Sequence, residues 1–149
     1  MMSEDKNIKY LAPEPNGGLD QVIKTRQTPL RILIVDDDKE VIETLSKVLE
    51  VIDAATEIKS SLTGGGALKL LEFNVFDLII LDVNLPDLDG GDILRFIRTQ
   101  AKNKSASIIA ISGVPHVLDS MLQMGADVCL PKPFRIQELN EIIRGLLKL

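Results

Sequence analysis

Polar residues lie at or just past the ends of four short apolar runs in this chain, and this pattern constrains the fold more than any other feature. The runs are rich in aliphatic and β-branched side chains and cover residues 32–35, 78–81, 107–111 and 128–130. Each is too short to form a helix, and near-continuous apolar sequence is typical of parallel strands that are buried on both faces. The chain is therefore predicted to contain a mostly parallel sheet.

Amphipathic segments separate these runs. Residues 39–51 carry apolar side chains at three- and four-residue spacing, which is the pattern of a half-buried helix. The other predicted elements are a weaker strand at 55–60 and helices at 65–73, 93–99, 116–124 and 136–147. Five alternating strands and helices require right-handed crossovers and a sheet covered on both faces. We therefore predict an α/β fold with a doubly wound parallel sheet.

The polar residues at or just past the ends of the runs carry three kinds of functional group. They are three carboxylates, a hydroxyl and an ammonium group, namely Asp36, Asp37, Asp82, Ser112 and Lys132. In an open parallel sheet, ligands bind beyond the carboxyl ends of the strands, where the strand order reverses. The sequence therefore predicts a site for a divalent cation and a phosphoryl group at this edge.

The adjacent acids Asp36 and Asp37 have two interpretations. Neighbouring carboxylates in a semi-buried position repel each other unless a cation neutralises them, and Mg²⁺ prefers such hard oxygen ligands. Alternatively, the acids decorate the N-terminus of the following helix, where the helix dipole favours negative charge. The pair alone does not distinguish these interpretations.

Asp82 favours the cation site. A carboxylate held beside a metal at a strand end can attack phosphorus as a nucleophile and form an acyl phosphate. Lys132 would then bind the phosphate as a point charge, and Ser112 would hydrogen-bond one of its oxygens.

The chain resembles the receiver domains of two-component response regulators. The motifs that carry the resemblance are ILIVDDD at 32–38, LIILDVNLPDLDG at 78–90, AISG at 110–113 and LPKPF at 130–134. The resemblance covers about residues 30–149 and implies a flavodoxin-like (βα)5 fold with strand order 2-1-3-4-5. It also implies a cis peptide between Lys132 and Pro133.

The resemblance further implies a phosphorylation-dependent signalling switch. Asp82 would accept a phosphoryl group from a sensor histidine kinase or a histidine phosphotransfer protein, and Ser112 and Lys132 would bind the phosphoryl oxygens. The implied Mg²⁺ ligands are Asp36, Asp37, Asp82 and the backbone carbonyl of Asn84. No enzyme activity is expected apart from Mg²⁺-dependent self-phosphorylation and autodephosphorylation at Asp82.

Cys129 marks a departure from the family. Three residues before the family lysine, most receivers carry an aromatic residue that swings inward when the switch hydroxyl moves. A thiol cannot sweep that volume, so we expect the signal to pass mainly through backbone motion of the loop after Ser112 and of the fourth helix. Cys129 itself is expected to pack as a small hydrophobic residue.

A second departure concerns the partner surface. Winged-helix DNA-binding regulators pair through charges on the fourth helix, fifth strand and fifth helix, and two of those charges are replaced here by Val128 and Ile142. Ile142 is expected to extend an apolar patch on this face toward an output protein whose identity is unknown.

Composition limits the remaining possibilities. The 22 acidic residues outnumber the 17 basic ones, so no nucleic-acid surface is expected on this chain alone. The single cysteine excludes an internal disulfide, and no segment reads as a membrane span or signal peptide, which predicts a cytoplasmic protein without membrane contact. Residues 1–29 are polar and rich in proline and glycine, and they are predicted to be a flexible N-terminal extension of a receiver domain at 30–149.

Two rival functions remain open. A haloacid-dehalogenase-like phosphatase also uses a strand-end aspartate, a hydroxyl, a lysine and Mg²⁺, but its Asp-x-Asp-x-Thr signature requires a threonine where this chain has Glu40. A pseudo-receiver, which is a phosphorylation-independent binding module, would be expected to have lost one of the five site residues. All five are present.

Overall fold

The computed structural model describes residues 8–10, 24–26 and 28–149. Near the N-terminus, β1 (Ile8–Tyr10) and β2 (Lys24–Arg26) pair as an antiparallel two-stranded sheet. Most of the predicted flexible extension at 1–29 lies outside the described residues, and that prediction remains a prediction.

Five strands and five helices alternate through the rest of the described chain. The strands are β3 (Arg31–Val35), β4 (Glu57–Ser61), β5 (Leu78–Asp82), β6 (Ser107–Ser112) and β7 (Val128–Pro131). The helices are α1 (Lys39–Ile52), α2 (Gly64–Phe73), α3 (Gly90–Thr99), α4 (Leu118–Gln123) and α5 (Ile136–Leu147). All five predicted strand–helix repeats are therefore present.

These strands form one parallel sheet in the order β4-β3-β5-β6-β7. Counted from β3, this order is 2-1-3-4-5, which confirms the predicted flavodoxin-like arrangement. The chain moves outward from β3 to β4 and then returns to the other side of β3 at β5. The carboxyl ends of β3 and β5 therefore flank the point where the strand order reverses, which is where ligands bind in such sheets.

The hydrophobic core lies on both faces of the sheet. Leu33 and Val35 of β3 face the layer formed by α2, α3 and α4, whereas Ile32 and Ile34 face the layer formed by α1 and α5. Each of these side chains is at most 1% exposed, and burying one stabilises the fold by roughly 1.5–3 kcal/mol. Burial on both faces explains why the apolar runs are continuous.

Two helices begin two or more residues away from the start that the sequence predicted. The third begins at Gly90, three residues early, because Asp89 acts as its N-cap and accepts from the N–H of Gly91 at 2.7 Å. The fourth begins at Leu118, two residues late, because a 3-10 turn that starts at Pro115 precedes it. The resulting α4 has only six residues.

The two ends of α4 are held differently. Arg98 holds the segment that follows the C-terminal end of α4. Its side chain donates to the carbonyl oxygen of Gly125 at 2.8 Å and to the carboxylate of Asp127 at 3.0 Å, and it also donates to the carbonyl oxygen of Ala106 at 2.7 Å. The N-terminal end of α4 has no side-chain cap. The end of α4 that follows β6 is therefore the less constrained one.

Close packing at Gly90 shapes the loop that follows β5. Its N–H donates to the carbonyl oxygen of Val83 at 3.2 Å. A Cβ atom at Gly90 would meet the Cα of Val83 and would lie 2.8 Å from that carbonyl oxygen. Only glycine allows the helix to begin so close to the strand end.

Within the described residues, no helix is long and apolar enough to cross a membrane.

Candidate functional site

Strand register brings the predicted site residues to one edge of the sheet. Asp36 and Asp82 lie side by side, because the residues just before them are paired in the β3–β5 register. On the other side Asp82 pairs with Ile111, so that Ser112 is the next residue along β6. Lys132 follows β7, and its N–H donates to the carbonyl oxygen of Ser112 at 2.8 Å. Neighbouring parallel strands thus place these groups together.

Lys132 bridges the two buried carboxylates. Its Nζ donates to Oδ2 of Asp36 at 2.9 Å and to Oδ2 of Asp82 at 2.7 Å. Burial alone would lower the pKa of Lys132, but the hydrogen bonds to Asp82 and Asp36 outweigh it and raise that pKa. The ammonium is therefore charged at neutral pH, and it compensates two carboxylates that are almost fully buried.

Asp36 and Asp38 have different roles in the acidic run. Burial raises the pKa of Asp36, and this effect exceeds the opposing hydrogen bonds from the Asp38 N–H, at 2.8 Å, and from Lys132. Asp38 is the N-cap of α1 and accepts from the N–H of Glu40 at 2.9 Å. The helix-terminus interpretation thus applies to Asp38, whereas Asp36 turns into the site.

Three carboxylates are placed to hold a cation. Asp36, Asp37 and Asp82 each offer an oxygen, and these oxygens lie within 4.8 Å of one another. Asp37 is exposed, whereas the other two are buried. Hard oxygen donors fit Mg²⁺, and a bound cation would offset the cost of burying Asp36 beside Asp82. The backbone carbonyl of Asn84 remains a predicted fourth ligand.

The side chain of Asn84 has a contact that the sequence analysis missed. Its Oδ1 accepts from the Ser112 hydroxyl at 2.5 Å, while its backbone N–H donates to Oδ1 of Asp82 at 2.8 Å. The sequence analysis considered only the backbone carbonyl of Asn84. Nothing in the local sequence signals the side-chain contact, because it joins two residues that are 28 positions apart.

Cys129 packs against the face of the core that α2, α3 and α4 cover. Its Sγ donates to the carbonyl oxygen of Leu118, at the start of α4, at 3.2 Å. Burial raises the pKa of the Cys129 thiol, and the charge of Asp119 raises it further. The thiol is therefore protonated at neutral pH and links β7 to α4, while its predicted role as a switch position remains a prediction.

The predicted partner residue Ile142 is half-buried and packs against the core face that α1 and α5 cover. Two other apolar residues on α4 and α5 are more exposed than Ile142. Leu122 of α4 is 47% exposed, and Ile136 of α5 is 43% exposed. The sequence analysis did not single out either residue. The role of Ile142 in a partner face remains a prediction.

A groove of about 590 Å³ lies between the β5–α3 loop and α4. The residues that line it are Val83, Asn84, Leu85, Pro86, Asp87, Leu88, Asp89, Val117, Ser120, Met121 and Met124. Neither Asp82 nor Lys132 lines it. The groove therefore adjoins the carboxylate site through Asn84 without being part of it.

Comparison with known proteins gives a consistent result. The family model for the response regulator receiver domain matches residues 32–144. Response regulator MprA of Mycobacterium sp. strain KMS is 35% identical over 120 residues, which are 80% of this chain and 51% of MprA. The chain thus spans about half the length of the curated relatives it matches.

Solved structures show the same fold. A CheY-like receiver domain from Methanospirillum hungatei JF-1 superimposes with a TM-score of 0.74 at 29% identity, covering 81% of this chain and 95% of that one. The beryllium-fluoride-activated receiver domain of DrrB, a Thermotoga maritima protein, superimposes with a TM-score of 0.72 at 27% identity, covering 82% and 100%. Since the family model covers most of the chain and the strand order is the expected one, this chain belongs to the response regulator receiver domains of two-component signal transduction.

Proposed function

We propose that this chain is a phosphorylation-dependent switch that accepts a phosphoryl group on Asp82. The observation that carries the proposal is the position of this carboxylate. Asp82 ends a central strand, is 4% exposed, contacts the Lys132 ammonium and shares a cation site with Asp36 and Asp37. A nucleophile, a charge-compensating group and hard oxygen ligands therefore meet at one point.

The proposed phosphoryl donor is a phosphohistidine of a sensor kinase or of a histidine phosphotransfer protein. A carboxylate oxygen of Asp82 attacks phosphorus, the new P–O bond forms, and the P–N bond breaks with its electron pair leaving on the imidazole nitrogen. Lys132 already donates to the Asp82 carboxylate, so its charge lies beside the arriving phosphoryl oxygens. Mg²⁺, when bound by the three acids and the Asn84 carbonyl, supplies neutralisation of the charge on those oxygens.

Separate observations argue against each of the two rival functions. The receiver-family match and the strand order argue against a haloacid-dehalogenase-like phosphatase, as does Glu40 in place of the signature threonine. A pseudo-receiver would lack part of the site, whereas four of the five site residues are linked here through hydrogen bonds that include Asn84. We accordingly propose self-phosphorylation and autodephosphorylation at Asp82 as the chain's own chemistry.

The proposed output surface comprises α4, β7 and α5. The end of α4 that follows Ser112 lacks a side-chain cap, and Leu122 and Ile136 expose apolar surface on these helices. Curated relatives such as the transcriptional regulatory protein CusR of Escherichia coli are about twice as long as the matched region. We therefore propose a partner protein at this face, and no nucleic-acid contact by the described chain alone.

Intact-mass spectrometry tests the phosphorylation site. Incubation with acetyl phosphate and Mg²⁺ should add one phosphoryl group to the chain, and Asp82→Asn should abolish the adduct. Asp38→Asn is the matched control, because it changes an acid of the same site region but retains the ability to cap α1. An adduct that persists in Asp82→Asn would move the site to another acid, with Asp36 the first to examine, and would overturn the proposal.

A further inference from the structure

The hydroxyl of Ser112 has both of its hydrogen-bonding roles filled. Ser112 is fully buried, and its Oγ accepts from the N–H of Val114 at 2.9 Å. The single hydroxyl proton is then free for one acceptor. The carbonyl oxygen of Val114 lies 3.3 Å away, whereas Oδ1 of Asn84 lies at 2.5 Å. The proton is therefore donated to Asn84.

The distance also identifies which end of the Asn84 amide faces the hydroxyl. A separation of 2.5 Å falls within the range of O–H···O bonds and below that of N–H···O bonds. The amide oxygen therefore faces Ser112. Through its backbone N–H, Asn84 also binds Oδ1 of Asp82 at 2.8 Å. One residue thus holds both the carboxylate and the hydroxyl.

We propose that the Asn84 side chain is a positioning residue that holds Ser112 in its resting position until Asp82 is phosphorylated. This inference rests on the proposed function. Ser112 has one proton, so its hydroxyl can bind a phosphoryl oxygen only after the bond to Asn84 breaks. A charge-assisted bond to a phosphoryl oxygen is stronger than a bond to a neutral amide. The exchange is therefore favourable after phosphorylation and unfavourable before it.

The same hydroxyl links this exchange to α4. Because Val114 donates to Oγ of Ser112, movement of the hydroxyl displaces the chain immediately before the 3-10 turn at Pro115. The N-terminal end of α4, which follows that turn, has no side-chain cap to resist the movement. The Asn84 side chain therefore biases the position of α4 through Ser112.

The Asn84→Ala variant tests this role, since it removes the amide and keeps the backbone N–H and carbonyl. In the unphosphorylated variant, amide chemical shifts from Val114 to Met124 should move along the line toward the wild-type chain bound to beryllium fluoride and Mg²⁺. Loss of one neutral hydrogen bond predicts roughly a two- to tenfold rise in the active-like population. Asn84→Asp keeps an acceptor oxygen and should leave these shifts near the resting position.

Two further variants separate this role from a general loosening of the loop. In a Ser112→Ala background, Asn84→Ala should cause no additional shift, because the bond it removes is already absent. Asn140→Ala removes another side-chain hydrogen bond, that from Nε of Arg144 at 3.1 Å on α5. This control should leave the shifts from Val114 to Met124 unchanged.

Each result has a defined meaning. Unchanged shifts in Asn84→Ala would overturn the inference, as would an equal movement in Asn84→Asp or a movement that persists in the Ser112→Ala background. The wild-type titration tests the proposed function separately. If beryllium fluoride shifts the wild-type amides and Asn84→Ala does not, only the role of Asn84 is wrong. If beryllium fluoride does not bind the wild-type chain, the proposed function itself fails and the inference fails with it.

Discussion

The ammonium of Lys132 lies 2.7 Å from Oδ2 of Asp82, the carboxylate that we propose receives the phosphoryl group. The same ammonium lies 2.9 Å from Oδ2 of Asp36. One cation therefore compensates two acids, and it would compete with a metal for their oxygens. We therefore expect Lys132 to influence both the stability of the site and its affinity for Mg²⁺.

Replacing Lys132 should destabilise the fold. Lys132→Met leaves two buried carboxylates without their partner, which should lower the free energy of unfolding by about 1–3 kcal/mol. This is less than the roughly 3–5 kcal/mol typical of a fully buried pair, because the lysine side chain is 27% exposed. Urea denaturation measures this change. Added Mg²⁺ should recover part of the loss, because a cation at the same carboxylates replaces the missing charge. Exposed Lys148→Met is the control, and an equal stability of both variants would contradict the expectation.

Mg²⁺ should bind the unphosphorylated chain weakly. Its expected charged ligands are three carboxylates, and two of them are already engaged by Lys132. Asp37→Ala should weaken binding further, because Asp37 is the one acid of the set that is exposed and not bound to the lysine. Isothermal calorimetry would show the loss, with Asp38→Asn as a control that should bind like the wild type. Unchanged binding in Asp37→Ala would show that the acidic pair is assigned wrongly.

Asp87 should make the stability of the fold depend on pH in the acidic range. Its carboxylate accepts from the N–H groups of Gly65 at 2.9 Å and Gly64 at 2.8 Å, and these bonds lower the pKa of Asp87. A lowered pKa means that the stabilisation is fully present above the ordinary aspartate value, near 4, and is lost as the pH falls through the folded-state value.

Chemical denaturation of the wild type and Asp87→Ala across this pH range tests the linkage. The wild type should be the more stable protein at neutral pH, and the difference should shrink as the pH falls below about 4. A difference that stays constant with pH would show that the Asp87 carboxylate is not the source of the stabilisation.

Two glycines should respond oppositely to alanine. Gly90→Ala forces a Cβ against the backbone of Val83, and such overpacking should cost about 1–3 kcal/mol. Gly145 lies inside α5 with nothing within 4 Å of an added Cβ, so Gly145→Ala should stabilise by about 0.5–1 kcal/mol. Thermal unfolding compares the two. Equal effects would mean that the close approach at Gly90 does not constrain the loop.

The sequence predicted the sheet edge well for a physical reason. Buried parallel strands require continuous apolar runs, so the polar residues at or just past the end of each run also lie at the ligand edge. Asp36, Asp82, Ser112 and Lys132 were found in this way. The strand order itself came from the family resemblance, because apolar runs alone do not specify which strands are neighbours.

The contacts that tune the site could not be predicted. The bonds from Ser112 to Asn84 and from Gly64 to Asp87 join residues 28 and 23 positions apart through irregular loops. Such contacts leave no periodic pattern, because they depend on the path of the loop after β5. The shorter α4 has a similar origin, since the 3-10 turn at Pro115 shows no periodicity that separates it from a helix.

The exchange between resting and active forms should be observable before phosphorylation. Cys129 links β7 to α4 by one weak bond, from Sγ to the carbonyl oxygen of Leu118 at 3.2 Å. It has no aromatic ring that could move together with Ser112. The two forms should therefore differ by a small free energy and interconvert. Relaxation-dispersion measurements on amides from Ser112 to Met124 should detect this exchange, and beryllium fluoride with Mg²⁺ should suppress it.

Substitution at Cys129 tests the origin of this behaviour. Cys129→Tyr restores a bulky ring at the end of β7, which should widen the chemical-shift difference between the two forms because the ring must change its position together with Ser112. Cys129→Ser keeps a small donor toward Leu118 and should behave like the wild type. If beryllium fluoride perturbs only the residues that touch Asp82 in all three proteins, the fourth helix does not report phosphorylation. The chain would then act by carrying phosphoryl groups between other proteins, because its chemistry would be intact while its surface stayed unchanged.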